Sequence, residues 1–329
     1  MPHMADLQDE YKAAGVTFIG LSTKDPNNTF EKVAAFVKKR GPKLGYTFAY
    51  AEDKTSDAAW MKAAGRNGIP CTFVVGKDGK IAYIGHPMYL DVVLPKVVAG
   101  TWSQADADGM ETIEAALSAM SRKLSGADAA AGLKALADFE AEYPKLAGIV
   151  YFDAPKLRAM LKLEKYDEVK TTTAKLIGKA VTRNDSSVLR SMSVLMRSPA
   201  AKGQKPLLEL SLQAADELLK LNGEADFVAL MNASEAHAAA GNEAKATAFA
   251  KKAIPIAEKE LKDEKDVSGL LRLADAHWAA GEKPKAKETA EKAVANAPAT
   301  MKRFAEMQAK KFGVEPAKND DKNEEKNDK

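Results

Sequence analysis

Over the first hundred residues the apolar positions switch repeatedly between helical and strand periods. Met4, Leu7 and Tyr11 recur at spacings of three and four, which predicts a helix over about 3–14 that Gly15 stops. Val16-Thr17-Phe18-Ile19-Gly20-Leu21 is β-branched and apolar and reads as a buried strand. Pro26-Asn27-Asn28 reads as a turn, with Asn28 or Thr29 capping a helix that bears Phe30, Val33, Ala34 and Val37 and ends at Gly41-Pro42. Tyr46 to Tyr50 is a second strand, and Ser56 to Ala64 a short helix with Trp60 and Met61 inward. Thr72-Phe73-Val74-Val75 and Lys80 to Gly85 flank the turn Gly76-Lys77-Asp78-Gly79, a hairpin signal. Pro87 to Val98 supplies one more helix.

After Gly100 strand patterns stop and Ala, Lys, Glu and Leu dominate. Helices alone are expected over 108–312, broken at Ser125-Gly126, Tyr143-Pro144, Asn184-Asp185, Ser198-Pro199, Asn222-Gly223, Gly241-Asn242 and Gly281-Glu282. Within them a block repeats at an offset of 40: Ala236-His237 through Gly241 to Ala246 returns as Ala276-His277 through Gly281 to Ala286. Ala250, Lys252 and Ala253 return as Ala290, Lys292 and Ala293, and Met160 to Val169 is a fainter copy. Each copy is a helix, a tight turn and a second helix, and resembles the tetratricopeptide repeat, though its period is longer than the usual ~34. Such repeats stack, and their concave face can hold a partner. A plain helical bundle without a ligand is the other reading of the same pattern. Residues 313–329 are charged and low in complexity, which predicts a disordered tail.

Composition narrows the function. Of 329 residues 46% are hydrophobic, which excludes wholesale disorder. Lys and Arg number 49 against 46 Asp and Glu, a formal excess of +3 that makes no electrostatic case for nucleic acid. No apolar run reaches the ~18 residues of a transmembrane helix. The first residues lack the basic and apolar regions of a signal peptide, which by itself reads as cytoplasmic. Cys71 is the one cysteine, so no intrachain disulfide can form. His3, His86, His237 and His277 show no metal-ligand spacing, and there is no glycine-rich phosphate loop, so neither metal nor cofactor is expected. Asp25, Asp53 and Asp57 lie in or near loops and read as caps and turns. His237 and His277 hold matching repeat positions and read as packing or turn residues.

The block Gly68-Ile69-Pro70-Cys71-Thr72-Phe73-Val74-Val75-Gly76-Lys77-Asp78-Gly79-Lys80-Ile81 resembles the cis-proline strand and hairpin of the TlpA-type redoxins, which are thiol–disulfide oxidoreductases. Tyr83-Ile84-Gly85-His86-Pro87 is similar to its continuation, and Met1 to Tyr11 to the helix that follows the family's Trp-Cys-x-x-Cys. The resemblance covers about residues 1–100. It implies an α/β thioredoxin-like domain over 1–102, followed by an all-α helical-repeat domain over 108–312. It also implies a mechanism in which a low-pKa thiolate attacks a disulfide sulfur and a second thiol resolves the mixed disulfide. Ile69 and Pro70 would hold the substrate chain, the Ile69–Pro70 bond would be cis, and the partners would be protein thiols and disulfides.

The chain departs from the family at one point. It begins at the Met-Pro that follows the dithiol, so the Cys-x-x-Cys and the strand before it, the middle strand of the sheet, are missing. The domain is therefore expected to be incomplete and redox-inactive as given, with a non-catalytic scaffold acting through the helical repeats as the alternative. Met1 is expected not to be the native start. The full-length form would carry the upstream strand, the dithiol and a secretion signal, and would be periplasmic or otherwise extracytoplasmic. Cys71, beside the proline, is either a reactive thiol or a small inert strand residue; buried structural cysteines are the commoner case.

Overall fold

The computed structural model describes residues 2–25 and 28–315. The expected turn at Pro26-Asn27 and the charged segment from 316 onward lie outside the described residues. α1 (Pro2–Tyr11) passes through a short 3-10 turn to Gly15, whose φ of 81° ends it. The first strand is Ile19–Thr23 (β1), two to three residues later than its apolar run suggested. The cause is Gln8, which is buried. Its side-chain amide donates to the Val16 carbonyl at 2.9 Å, and its oxygen accepts from the Phe18 amide at 2.7 Å, so this stretch bonds to a side chain. Nor is β1 buried: Ile19 is 63% and Leu21 50% exposed.

α2 (Phe30–Leu44) runs through the expected stop at Gly41-Pro42 and ends at Gly45, which has a φ of 67°. β2 (Thr47–Ala51) pairs with β1 in parallel, from Ile19 opposite Thr47 to Thr23 opposite Ala51. Residues Asp57–Lys62 form a π-helical turn, and Trp60 is not inward but exposed, edge-on to Phe73 with ring centroids 5.2 Å apart. β3 (Thr72–Val75) and β4 (Ile81–Gly85) form an antiparallel hairpin, closed by the Asp-Gly turn with Gly79 at φ 78°. A 3-10 turn, Pro87–Tyr89, leads into α3 (Leu90–Ala99), whose Leu90, Val93 and Leu94 are buried. Among the described residues the strands form two separate two-stranded sheets, and no strand joins β1–β2 to β3–β4.

Among the described residues everything after 103 is helical apart from turns. The helices are α4 (Gln104–Leu124), α5 (Ala129–Glu142), α6 (Val150–Lys162), α7 (Tyr166–Thr182), α8 (Ser186–Met196), α9 (Lys205–Asn222), α10 (Phe227–Ala239), α11 (Glu243–Glu260), α12 (Val267–Ala279), α13 (Lys283–Ala295) and α14 (Ala299–Ala309). The architecture is thus a small thioredoxin-like α/β region followed by an all-α region.

By contacts the chain divides into two units, residues 1–169 with 182–185, and residues 170–181 with 186–329. In the first unit one apolar cluster joins Leu7, Val74 and Tyr83 to Leu90 and Val93 of α3, to Met110 and Met120 of α4, and to Leu136 and Phe139 of α5. In the second unit α8/α9, α10/α11 and α12/α13 pack as pairs. α10 and α12 start at Phe227 and Val267, and α11 and α13 at Glu243 and Lys283, so both members of the pair repeat at the sequence offset of 40. Ala246, Ala250 and Ala253 and their counterparts Ala286, Ala290 and Ala293 are all buried, which lets the helices of each pair approach closely. His237 and His277 are buried and reach the turns that follow them. Asn242 lies 3.4 Å from His237 Nδ1, and His277 Nδ1 is 2.9 Å from Glu282. Beyond α14, Val314 is buried in the last apolar cluster.

Candidate functional site

The loop between the π-helical turn and β3 carries the residues singled out by sequence. Its start is held by Arg66, whose backbone amide donates to the Met61 carbonyl at 2.7 Å and whose guanidinium donates to the Ile84 carbonyl of β4 at 3.3 Å. The Ile69–Pro70 peptide bond is cis. Ile69 projects with 88% of its surface exposed, and Cys71 is half-buried immediately before β3. The three residues therefore sit together at the entry of a strand whose only partner among the described residues is β4.

Behind them stands Tyr83 of β4, paired with Val74. Strand alternation puts Tyr83 and Gly85 on one face. The ring folds over Gly85 so closely that a Cβ there would lie 2.1 Å from the tyrosine oxygen, so any larger residue would have to push the Tyr83 ring aside. The hydroxyl donates to the His86 carbonyl at 3.3 Å. Burial pushes the Tyr83 hydroxyl far above the usual tyrosine range, with Glu114 adding to the effect, Arg66 opposing it and the Cys71 thiol adding a little. Tyr83 is thus a neutral donor and not a base. Tyr89 is pushed up to about 12, by burial first and then by Glu114. Burial lowers His86, and its Nδ1 accepts from the Met88 amide at 3.1 Å, so the ring is held neutral with its proton on Nε2. Trp102 closes the far side, its indole N–H donating to the Ala82 carbonyl at 2.8 Å.

This arrangement offers one thiol, an exposed apolar side chain and an open strand edge. A lone thiolate can form a mixed disulfide, but with no second thiol in the chain nothing internal resolves it. Among the described residues no three His, Cys, Asp or Glu side chains converge as a metal site. The four histidines stay apart: His3 pairs with Asp91 of α3 at 2.6 Å, and His86 meets the Tyr151 ring edge-on. Tyr83, Arg66 and Trp102 were not singled out from sequence. The tyrosine two positions before a strand glycine was the readable signal for the first; Arg66 and Trp102 act across 18 and 20 residues, which no local pattern shows.

The fold is a thioredoxin-like α/β region followed by an all-α region, and the comparisons bear on the first of these. Residues 1–84 match the AhpC/TSA family. The chain is 33% identical over 108 residues to Protein FixW of Rhizobium leguminosarum, a match that covers 31% of this chain and 49% of that protein. The chain thus spans about half the length of the curated relative it matches. No solved structure matches. No helix among the described residues is long and apolar enough to cross a membrane.

Proposed function

We propose that residues 1–102 are the substrate-facing part of a TlpA-type thiol–disulfide oxidoreductase domain, redox-inactive in this chain because it holds one cysteine. The observation that carries this is the loop before β3, where Ile69 stands 88% exposed beside Pro70, the bond between them cis. An extended substrate chain can lie along the Ile69-Pro70-Cys71 backbone before β3 and rest on Ile69. Ile69 and Pro70 are the substrate-binding residues in this reading, and Cys71 is at most a thiol that traps an adduct. The partners are protein thiols and disulfides, and the protein works outside the cytoplasm, where disulfides persist.

The test is insulin disulfide turnover with dithiothreitol as reductant. The chain as given should show none, while a thiol reagent labels Cys71 once. Adding an N-terminal strand followed by Trp-Cys-x-x-Cys should start turnover, and Pro70→Ala in that fusion should weaken it. A fusion that folds yet stays inactive would overturn the reading. The second reading is a non-catalytic scaffold whose helical region, residues 108–312, binds a protein partner. The paired helices repeated at α10/α11 and α12/α13 favour it, because such arrays present extended binding surfaces.

A further inference from the structure

Beyond α14 a short segment folds back over the pair α12/α13. One 3-10 turn, Lys310–Phe312, runs into Gly313 at φ 78° and on to Val314. Lys311 forms an ion pair with Asp275 on α12. Phe312 meets Trp278, one turn further along α12, edge-on with ring centroids 5.7 Å apart. Phe312 and Val314 are buried in the last apolar cluster. One repeat earlier the counterparts of Asp275 and Trp278 are Glu235 and Ala238, and both are exposed. The segment therefore covers on α12 a surface that α10 leaves open. Its hold is light. The amides of Gly313 and Val314 donate to Lys310 and Ala309, inside the segment and the helix just before it. Among the described residues the tie to α12 and α13 is one half-exposed ion pair and two apolar side chains. Segments held in this way open locally at far less cost than the whole unit unfolds.

We propose that Lys311–Val314 is an autoinhibitory strap over a binding site at Asp275 and Trp278, and that the partner it holds off is a peptide segment in which a basic residue precedes an aromatic one. The strap itself shows the chemistry the site takes: Lys311 supplies the cation, Phe312 the ring, and Gly313 the turn that brings Val314 in. The surrounding charges call for the same cation. Glu235 on α10, itself held by Arg197, acts on Asp275 as a like charge. With Lys311 withdrawn, Asp275 faces that charge without its counter-ion. Lys283 of α13 lies over the Trp278 ring, 5.3 Å from its centroid, and Trp278 stays 38% exposed under the strap. A partner segment exchanges one ion pair and one ring contact for equivalent ones, so the strap lowers its affinity in proportion to the time it is closed. The proposal rests on the scaffold reading of the helical region and names its partner. A partner held elsewhere on that region would keep the scaffold reading while this one fails, and the redoxin reading has its own turnover test.

The probe is a labelled peptide of residues 307–315, Met-Gln-Ala-Lys-Lys-Phe-Gly-Val-Glu, read by fluorescence anisotropy against the full chain. The full-length Lys311→Glu/Phe312→Ala variant, whose own strap no longer pairs, should bind it at least about tenfold more tightly than the wild type. Adding Asp275→Lys should remove that gain. Circular dichroism and the thermal midpoint check that the variants fold. Hydrogen exchange on the wild type tests the strap without any substitution: the Gly313 and Val314 amides should exchange faster than those of α12 and α13. Equal binding by the wild type and a folded variant, or a gain that survives Asp275→Lys, would overturn the proposal. So would strap amides that exchange only together with α12 and α13, or a variant that loses those helices along with the strap, since the segment would then be core.

Discussion

Asp106, in the first turn of α4, accepts from the Ser103 amide and hydroxyl, both at 2.9 Å, and from the Lys96 ammonium. The Lys96 bond first, and the Ser103 bonds after it, lower its pKa from the ordinary 3.8 to about 2. The folded value lies below the unfolded one, so the stabilisation is complete above 3.8 and is lost as the pH falls from there through 2. Asp106→Asn should lower the thermal midpoint at neutral pH and flatten its fall over that acid range, and melts taken across the range would show it. The Ser-x-x-Asp spacing was readable in the sequence, but the Lys96 partner was not. Gln8 was less readable still, because a polar residue in an amphipathic helix is ordinarily solvated. Its bonds to Val16 and Phe18 follow from a chain reversal that no period encodes. Gln8→Ala should leave both backbone groups without partners and cost about 1–2 kcal/mol in urea unfolding.

Between elements, contact distance decides what a position tolerates. Gly132 on α5 faces α4 so closely that a Cβ would lie 2.8 Å from the Lys123 carbonyl oxygen and 2.9 Å from the Leu124 Cα. Both are backbone atoms and cannot swing aside. Gly132→Ala should therefore destabilise by about 1–3 kcal/mol, as overpacking does, although alanine is the better helix former. Gly109, in the second turn of α4 with open space beside it, is the control: alanine there should be neutral or stabilising. Elements with a local signal were legible for the same reason of range. The Asp-Gly hairpin and the helix breaks named beyond residue 100 depend on neighbours in sequence, and each copy of the 40-residue repeat carries its own turn. β1 did not match, because apolar β-branched residues imply burial only when another element covers them. Ile19 and Leu21 have no such cover among the described residues. The candidate loop was legible as a contiguous motif, whereas its Tyr83 backing depends on strand pairing.

At the scale of the whole chain, composition and packing divide at different places. Composition changes at Gly100, where strand patterns end, but the first packing unit runs on to Val169. The shared apolar cluster explains the difference. Seven of its buried residues, Leu7, Val74, Tyr83, Tyr89, Leu90, Val93 and Leu94, precede residue 103, and nine, from Met110 to Ala159, lie in the helices beyond it. Between residues 9 and 73 the described chain buries only Leu44 among its apolar side chains, so the two small sheets contribute little core of their own. Burying one large apolar side chain is worth about 1.5–3 kcal/mol. Cutting at 102 would uncover much of those seven, a loss on the order of 10 kcal/mol. That equals the whole stability of an ordinary domain, about 5–15 kcal/mol. A fragment of residues 1–102 should therefore show no cooperative urea transition and poorly dispersed amide resonances, whereas residues 1–169 should unfold in one sigmoidal step. Trp102 reports on both, since its indole is held by Ala82 only when β4 is in place. A sharp transition in the shorter fragment would mean that α4 and α5 lean on a self-sufficient domain. Its absence would mean that the α/β region depends on the first helices of the all-α region for its core.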